Sequence, residues 1–407
     1  MGDTHSTITV LMVLLLIASA VAMATKWVPV PYTLALVIVG LAISPMHFLP
    51  AVHISPELIL LIFLPALLFE AAWNLKLNEL RVNLVPILTL AVIGVGISVG
   101  LIALILHYGV GVAWSSALLF GAIISATDPV SVLALFRKLG APERLTVIIE
   151  GESLLNDGTA VVIFGIILSV VVGTTPFDST GSLFAHSLLR FGVVVVGGLL
   201  LGGAIGFAAS MLTSYFDDHL LEIMLTTISA YGSFIVAERL HVSPVITVLV
   251  TGIIIGNYGR RKGMSPNTEV AVDSFWEYAA FVVNSLVFLL IGIEIQLSMF
   301  ADYARFILWA VLAMTVARAI TIYGLFPISN RLTEPVSHRW QHVLLWGGLR
   351  GSLSIALVLS LPLAIPGRVQ LVAMTFGAVT FSLLAQGLTI SPLLTALKIK
   401  RSAPHAD

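Results

Sequence analysis

The amino-acid sequence predicts an all-α polytopic membrane protein with about thirteen transmembrane helices. Of its 407 residues, 58% are hydrophobic and only 10% are charged, and the mean hydropathy is +1.06. A soluble domain carries about 25% charged residues because its surface must face water. The apolar residues also fall in runs close to the ~20 residues that span a bilayer core as a helix. A chain of this composition is therefore expected to lie mostly inside a membrane.

Polar and turn-forming breaks divide the chain into about thirteen hydrophobic segments, each of which we expect to cross the membrane. The loops between them are too short to fold on their own. Residues 1–407 are therefore predicted to form one transmembrane domain without a soluble domain. In chain order, the segments lie near residues 7–25, 30–45, 55–73, 84–106, 112–136, 145–172, 187–212, 219–238, 242–257, 275–296, 303–328, 340–363 and 369–396.

The first segment resembles a secretory signal peptide in its small-residue stretch from Ala18 to Ala24. Such a signal also needs basic residues ahead of its apolar run. No Lys or Arg precedes Lys26, and Asp3 is acidic. We therefore expect the segment to be retained as the first helix.

Basic residues are distributed unevenly between the two sides of the predicted helix bundle. Cytoplasmic loops of membrane proteins carry the excess of Lys and Arg. The side that holds the C-terminus has fourteen basic residues and the other side has three, which predicts an outside N-terminus and a cytoplasmic C-terminus. The fourteen are Lys26, Lys76, Arg81, Arg137, Lys138, Arg144, Arg260, Arg261, Lys262, Arg331, Arg339, Lys398, Lys400 and Arg401, and the three are Arg239, Arg305 and Arg368.

A short sequence match indicates an inverted repeat of approximately residues 30–172 and 242–396. The third segment contains the run Leu-Ile-Phe-Leu-Pro-Ala-Leu-Leu-Phe-Glu, which ends at Glu70. The tenth contains the run Leu-Val-Phe-Leu-Leu-Ile-Gly-Ile-Glu, which ends at Glu294. The matched helices are seven apart in order. An odd offset makes the two halves cross the membrane in opposite directions, which is the arrangement of many secondary transporters.

The fifth segment contains the run Thr127-Asp128-Pro129. Polar groups are expensive inside a bilayer and by default mark a functional site. Pro129 lacks an N–H and disfavours helical geometry at Asp128, so we expect the helix to break there. Such a break is tolerated only where it is buried in protein or lines a cavity. It would free the Thr127 carbonyl and the Asp128 carboxylate as oxygen ligands, although a lone Asp-Pro also fits a kinked helix with a locally capped polar group.

The sixth segment begins with several polar residues and then becomes wholly apolar. At about 100° per residue, Glu152, Asn156, Ser153 and Asp157 lie at about 0°, 40°, 100° and 140° around the helix. One broad face therefore presents two carboxylates, a hydroxyl and an amide. A solvated helix end would explain Glu150 but not Asp157, which lies about two turns deeper.

The twelfth segment contains the run Gly-Gly-Leu-Arg-Gly at residues 347–351. Three glycines weaken a helix and predict a second break, seven helices after the break at Asp128. Two broken helices in opposite orientations would point like dipole ends at each other, and the charges of Asp128 and Arg350 would compensate them. Arg318 lies in the middle of the eleventh segment and needs a carboxylate partner, for which Glu152 is the best candidate.

Composition and motifs exclude several other kinds of function. The net charge is −1, which gives no electrostatic case for a nucleic-acid partner. Cysteine is absent, which excludes disulfides, thiolate metal sites and iron–sulfur clusters. No Ser/His/Asp set, histidine metal cluster or phosphate-binding glycine loop is evident in the sequence. We therefore expect a protein that is not an enzyme and has no cofactor.

At these motifs the sequence resembles the monovalent cation–proton antiporters, in particular the NhaP/NHE-type sodium–proton exchangers. The matches span nearly the whole chain in the family's order, and the Asn-Asp segment combined with the Thr-Asp-Pro break is highly specific. The chain is shorter than many members, so regulation through an extended cytoplasmic tail is not expected. The matching runs are Leu64-Pro65-Ala66-Leu67-Leu68-Phe69-Glu70, Thr127-Asp128-Pro129, Glu152-Ser153-Leu154-Leu155-Asn156-Asp157-Gly158, Ala317-Arg318-Ala319 and Gly347-Gly348-Leu349-Arg350-Gly351.

The resemblance implies an NhaA/NhaP-like fold, a homodimer in the plasma membrane, and two crossed discontinuous helices within a six-helix transport part. It also implies a role for each polar residue. Asp157 would be the exchange carboxylate, Asp128, Ser153, Glu70 and the Thr127 carbonyl would complete the Na⁺ site, Glu152 would pair with Arg318 and hold Asn156, and Arg350 would compensate the second broken helix.

The expected mechanism is competition between a cation and a proton for Asp157. Burial disfavours the charged form of a carboxylate, so a proton can compete with a cation for it. Alternating access would then move whichever one is bound. Related exchangers with a second aspartate at the position of Asn156 move charge, whereas an Asn-Asp pair resembles the electroneutral type. The sequence therefore predicts the exchange of one Na⁺ or Li⁺ for one H⁺.

Three alternatives remain open at the level of the sequence. A K⁺/H⁺ exchanger of the same architecture is the nearest, because oxygen ligands alone do not fix ion size. An intramembrane aspartyl protease would use two buried aspartates, but Asp128 and Asp157 lie in neither a Tyr-Asp nor a Gly-x-Gly-Asp context. A cation channel is disfavoured because broken helices and inverted repeats fit alternating access better than a continuous pore.

Overall fold

The computed structural model describes residues 2–27, 30–44, 58–173, 180–215, 218–295 and 297–399. Within these ranges every regular element is a helix. In chain order the α-helices are α1 (Gly2–Ala24), α2 (Tyr32–Ile43), α3 (Leu64–Asn74), α4 (Leu77–Val82), α5 (Leu84–Leu88), α6 (Val95–Val110), α7 (Trp114–Ser125), α8 (Val130–Leu139), α9 (Glu143–Val171), α10 (Thr180–Thr213), α11 (His219–Arg239), α12 (Pro244–Ile254), α13 (Arg260–Gly263), α14 (Pro266–Glu294), α15 (Leu297–Asp302), α16 (Ala304–Leu332), α17 (His338–Trp346), α18 (Ser352–Leu359), α19 (Arg368–Phe381) and α20 (Gly387–Ala396).

Short π-helical segments join or extend several of these helices. They are Leu58–Phe63 before α3, Thr89–Gly94 between α5 and α6, Ile255–Gly259 between α12 and α13, and Ser382–Gln386 between α19 and α20.

In the described part of the chain, eight helical segments are long and apolar enough to cross a membrane, and three shorter apolar helices accompany them. Each predicted hydrophobic segment overlaps at least one helix, which confirms the all-α class. The count of thirteen crossings stays a prediction, as does the inverted repeat. Residue 45, residues 55–57, residue 296, Lys400 and Arg401 lie outside the described residues.

Two predicted segments are each split into a pair of helices by a non-helical stretch. The first break, residues 126–129, separates α7 from α8, and the second, residues 347–351, separates α17 from α18. The backbone N–H of Asp128 donates to the carbonyl of Leu349 at 2.7 Å, so the two breaks touch each other directly. The expected pair of crossed discontinuous helices is therefore present.

The helices pack in two groups with a cavity between them. In one group, α14 packs against α2 and α3, and α12 packs against α3, α10 and α11. In the other, α7 packs against α6, α9 and α18, and α16 packs against α6 and α19. The crossing of α2 and α14 is so close that a Cβ atom on Gly40 would lie 2.9 Å from the Cα of Gly292. Both breaks belong to the second group and face the first across the cavity.

Candidate ion-binding site

Asn156 holds the first break in place. It is fully buried on α9, and its amide nitrogen donates to the hydroxyl of Thr127 at 2.7 Å and to the carboxylate of Glu152 at 2.9 Å. Its amide oxygen accepts the backbone N–H of Thr127 at 3.3 Å. Both amide hydrogens and the oxygen of Asn156 are thus engaged. The side chain replaces helical hydrogen bonds that the break at Asp128-Pro129 removes.

Ser153 and Thr127 bring two oxygen atoms together at the break. The Ser153 hydroxyl donates to the Thr127 carbonyl at 2.6 Å, and both residues are buried. A carbonyl oxygen has two lone pairs, and a donating hydroxyl keeps its own lone pairs. Both oxygens therefore retain the capacity to bind a cation.

Asp157 lies one helical turn beyond Ser153 on the same side of α9. Its Oδ1 atom is buried and has no hydrogen-bond partner among the described residues. An unpaired buried polar atom costs about 1–3 kcal/mol, and more where it is charged. A proton or a cation on this oxygen would remove that cost. Asp157 also lines a cavity of about 290 Å³, so there is space for an ion beside it.

The two breaks compensate each other's helix ends. Asp128 accepts the N–H of Val130 at 3.1 Å, and its carboxylate lies against Gly351, the N-cap of α18. A negative charge is favourable at a helix N-terminus. A Cβ on Gly351 would lie 2.5 Å from the Cβ of Asp128, so only glycine fits this contact.

Arg350 stabilises the other end of the crossing. Its guanidinium donates to the carbonyls of Ser125 and Ala126 at 2.9 and 3.1 Å, at the C-terminal end of α7. These carbonyls lack helical partners because α7 stops there. The guanidinium of Arg350 therefore caps the end of the first broken helix, and its compensation of the second stays a prediction. The backbone N–H of Arg350 donates to the hydroxyl of Ser382, in the π-helical segment between α19 and α20, at 2.9 Å.

Arg318 and Glu152 form a bidentate ion pair between α16 and α9. The two Nη atoms lie 2.8 and 3.0 Å from the two carboxylate oxygens, and Nη2 also donates to the carbonyl of Leu344 at 3.1 Å. The exposed fractions of the two side chains are 11% and 3%. A Cβ on Gly348 would lie 3.2 Å from the guanidinium, so the glycine run also makes room for Arg318. Glu152 is thereby neutralised and hydrogen-bonded to Asn156.

Glu70 lies on the opposite wall of the cavity. It is half-buried on α3, and its carboxylate accepts a hydrogen bond from Asn74 at 2.8 Å. No described group of three acidic or histidine side chains is arranged to hold a metal ion together. In this conformation Glu70 therefore shares the cavity with Asp128 and Asp157 but not a single coordination shell.

The cavity wall contains polar residues that sequence reasoning did not assign to the site. Glu277 and Asn284 contribute from α14, and Glu150 and Arg137 line the same cavity from α9 and α8. Glu150 was interpreted as a solvated helix end, and Arg137 was counted only as a loop charge. Sequence reasoning did not consider Glu277, and its charge at the start of the tenth hydrophobic segment is the one signal in the sequence that could have found it.

A chain with two crossed broken helices and a buried unpaired carboxylate beside a cavity has the architecture of an ion-coupled secondary transporter. Its similarity to known proteins identifies the family. The family model for the sodium/hydrogen exchanger, transmembrane, matches residues 11–396, and the chain belongs to this family. The family consists of transporters, so the protein is an integral multi-pass membrane protein and not an enzyme.

Named relatives and a solved structure agree with this assignment. The chain is 50% identical over 369 residues to the Na⁺/H⁺ antiporter ApNhaP of Aphanothece halophytica, covering 90% of this chain and 70% of the relative. It is 46% identical over 403 residues to the low-affinity Na⁺/H⁺ antiporter NhaS1 of Synechocystis, covering 97% and 75%. The structure of the sodium proton antiporter MjNhaP1 from Methanocaldococcus jannaschii at pH 8 matches with a TM-score of 0.80 at 18% identity, covering 98% and 99%, which shows the shared fold.

Proposed function

We propose that the protein exchanges Na⁺ or Li⁺ for H⁺ and that Asp157 holds either ion in turn. The observation that carries this proposal is the buried Oδ1 atom of Asp157, which has no partner among the described residues and lies at a cavity beside the first break. The names of the relatives support Na⁺ as the cation. A K⁺/H⁺ exchanger of the same fold is the second candidate, because oxygen ligands bind either ion.

The proposed cation ligands come from both sides of the break. Asp157, Ser153 and the Thr127 carbonyl form the inner part, and the hydrogen bond from Ser153 to Thr127 already brings two of these oxygens together. Asp128 adds a second carboxylate at the crossing. Glu70 would approach from α3 as the two helix groups close on a bound ion.

An exchange of one cation for one proton is supported by the partners of the other polar groups on α9. Glu152 is paired with Arg318, and Asn156 is uncharged and fully hydrogen-bonded. Asp157 is the acidic side chain of this stretch that keeps an unpaired oxygen. One carboxylate that releases one proton for each Na⁺ moves no net charge.

We also propose a homodimer in the plasma membrane, with the N-terminus outside and the C-terminus in the cytoplasm. The uneven distribution of basic residues supports this orientation, and the family resemblance supports the dimer.

The proposal is tested in inverted membrane vesicles with an acidified interior. Addition of Na⁺ or Li⁺ should collapse the pH gradient in the wild type and not in Asp157→Asn, because an amide neither binds a proton nor carries the charge that attracts a cation. Asp302→Asn, an exposed position at the end of α15, is the matched control and should behave like the wild type. Activity retained in Asp157→Asn would contradict the assignment, and a response to K⁺ alone would favour the second candidate.

A further inference from the structure

The cavity that leads to Asp157 has a charged outer part. In addition to Asp128 and Asp157, three carboxylates and one guanidinium line it: Glu70 on α3, Glu150 on α9, Glu277 on α14 and Arg137 on α8. We call these four residues the vestibule. Glu70 and Arg137 lie near the ends of α3 and α8, and Glu150 and Glu277 lie in the first halves of α9 and α14. These parts of the helices adjoin the most basic loops, so in the proposed orientation the vestibule opens to the cytoplasm.

Arg137 is the positive charge among these groups. It lies close enough to Glu70 and Glu150 to interact electrostatically with both, and Glu277 in turn interacts with Glu70. A fixed positive charge at this place opposes the entry of another cation. The carboxylates attract the same cation, so the net field in the vestibule depends on how much of their charge Arg137 offsets.

Arg137 lacks the close carboxylate partner that three other arginines of the structure have. Arg144, Arg260 and Arg318 each form an ion pair within 4.0 Å of a carboxylate. Arg137 takes part in no such pair among the described residues and is exposed to the cavity. Its charge therefore acts on the whole vestibule rather than on a single partner.

We propose that Arg137 is a tethered cation that sets the affinity for Na⁺ on the cytoplasmic side by opposing the carboxylates of the vestibule. This inference rests on the proposed exchange at Asp157. Arg137 does not coordinate the transported ion. It lowers the local concentration of any monovalent cation at the entrance, which raises the KM for cytoplasmic Na⁺ without changing the conformational step.

The charge of Arg137 acts equally on Na⁺ and on H⁺, since each carries one positive charge. At alkaline pH few protons compete, and the apparent KM follows the Na⁺ dissociation constant alone. At acid pH the apparent KM is that constant multiplied by the ratio of the proton concentration to the proton dissociation constant. Arg137 changes the Na⁺ and the H⁺ dissociation constants by the same factor, and this factor cancels in their ratio. The effect of Arg137 on KM should therefore be large at alkaline pH and vanish at acid pH.

The test uses inverted vesicles, whose outer solution reaches the cytoplasmic face, and follows exchange against Na⁺ concentration. Arg137→Gln should lower the alkaline KM about fivefold, equivalent to about 1 kcal/mol, with the maximal rate within a factor of about two. Arg137→Lys keeps the positive charge, so this variant should have the same KM as the wild type. Arg81→Gln is the matched control, because it removes a basic residue on the same predicted side but outside the cavity.

Glu277→Gln provides a change in the opposite direction. Removal of this vestibule carboxylate should raise the alkaline KM, and the combination with Arg137→Gln should bring KM back towards the wild-type value. Arg137 and Glu277 lie away from the two breaks, so we expect these variants to fold. Size-exclusion chromatography of each purified variant checks that the protein is folded.

An unchanged alkaline KM in Arg137→Gln would overturn the inference, as would an equal effect of Arg137→Lys, which would indicate packing rather than charge. A KM change of the same size at acid and alkaline pH would also overturn it. In each of these cases the proposed function would still hold if the wild type exchanges Na⁺ for H⁺ and Asp157→Asn does not. Exchange that persists in Asp157→Asn would remove the proposed function first.

Discussion

Three polar side chains within two turns of α9 have different environments in the structure. The charge of Glu152 is neutralised by Arg318, and all hydrogen-bonding groups of the Asn156 amide are engaged. Asp157 keeps an oxygen without a partner among the described residues. At the scale of the residue, therefore, the neighbours of Asp157 are fixed in place and Asp157 itself remains available to an ion.

The Glu152–Arg318 pair makes a prediction about stability. Arg318→Ala leaves the Glu152 carboxylate buried without its countercharge, which should destabilise the protein by about 3–5 kcal/mol. Thermal melting of the detergent-solubilised protein measures the effect. Arg331→Ala, an exposed position at the end of the same helix, is the control. The double change Glu152→Leu with Arg318→Met should recover most of the loss, since it removes both charges. An unchanged melting temperature in Arg318→Ala would show that the pair does not stabilise this fold.

At the scale of the element, the two broken helices depend on each other. Asp128 of the first break lies at the N-terminus of α18, and Arg350 of the second break donates to the end of α7. The direct backbone bond from Asp128 to Leu349 joins them. Any movement of one break is thus transmitted to the other, and the Thr127 carbonyl moves with them.

Gly351→Ala tests this coupling at its closest contact. The added Cβ would lie 2.5 Å from the Cβ and 2.8 Å from the Cγ of Asp128, so the carboxylate must move. We expect loss of most Na⁺/H⁺ exchange in vesicles. Gly165→Ala is the matched control, because a Cβ at that position of α9 would meet nothing within 4 Å. Full activity in Gly351→Ala would mean that the position of Asp128 against α18 is unimportant for exchange.

The sequence predicted those features that a local rule determines. Pro129 and the glycine run at 347–351 predicted the two breaks, because each residue type disfavours helix geometry where it stands. The partner of Arg318 followed from the rule that a buried charge needs a countercharge. These predictions required no knowledge of how distant helices pack.

Other features depend on that packing and were missed. Arg350 was linked to its own broken helix, and only the crossing brings the end of α7 within reach of its guanidinium. Glu150 was taken as a solvated helix end and Glu277 was not considered, because a polar residue near a helix end looks the same in sequence whether it meets water or a cavity. Only the approach of α3 and α14 to α8 and α9 distinguishes the two cases.

At the scale of the whole molecule, the cavity lies between the two groups of helices. The proposed site residues Thr127, Ser153 and Asp157 belong to the group that holds the breaks, whereas Glu70 and Glu277 belong to the other. An ion bound at Asp157 therefore sits at the boundary along which the groups would move during alternating access. In the proposed exchange, the group of helices that holds Asp157 would carry the same charge whether Na⁺ or H⁺ is bound.

The central claim is that one carboxylate exchanges one Na⁺ for one H⁺, and the most direct measurement is the null point of proton flux in proteoliposomes. The membrane potential is clamped at zero and at about 59 mV, a potential equivalent to a tenfold gradient of a singly charged ion. We predict no net flux whenever the Na⁺ and H⁺ concentration ratios are equal, at both potentials. A null point that moves about tenfold with the potential would show that each cycle carries a net charge and would contradict the account.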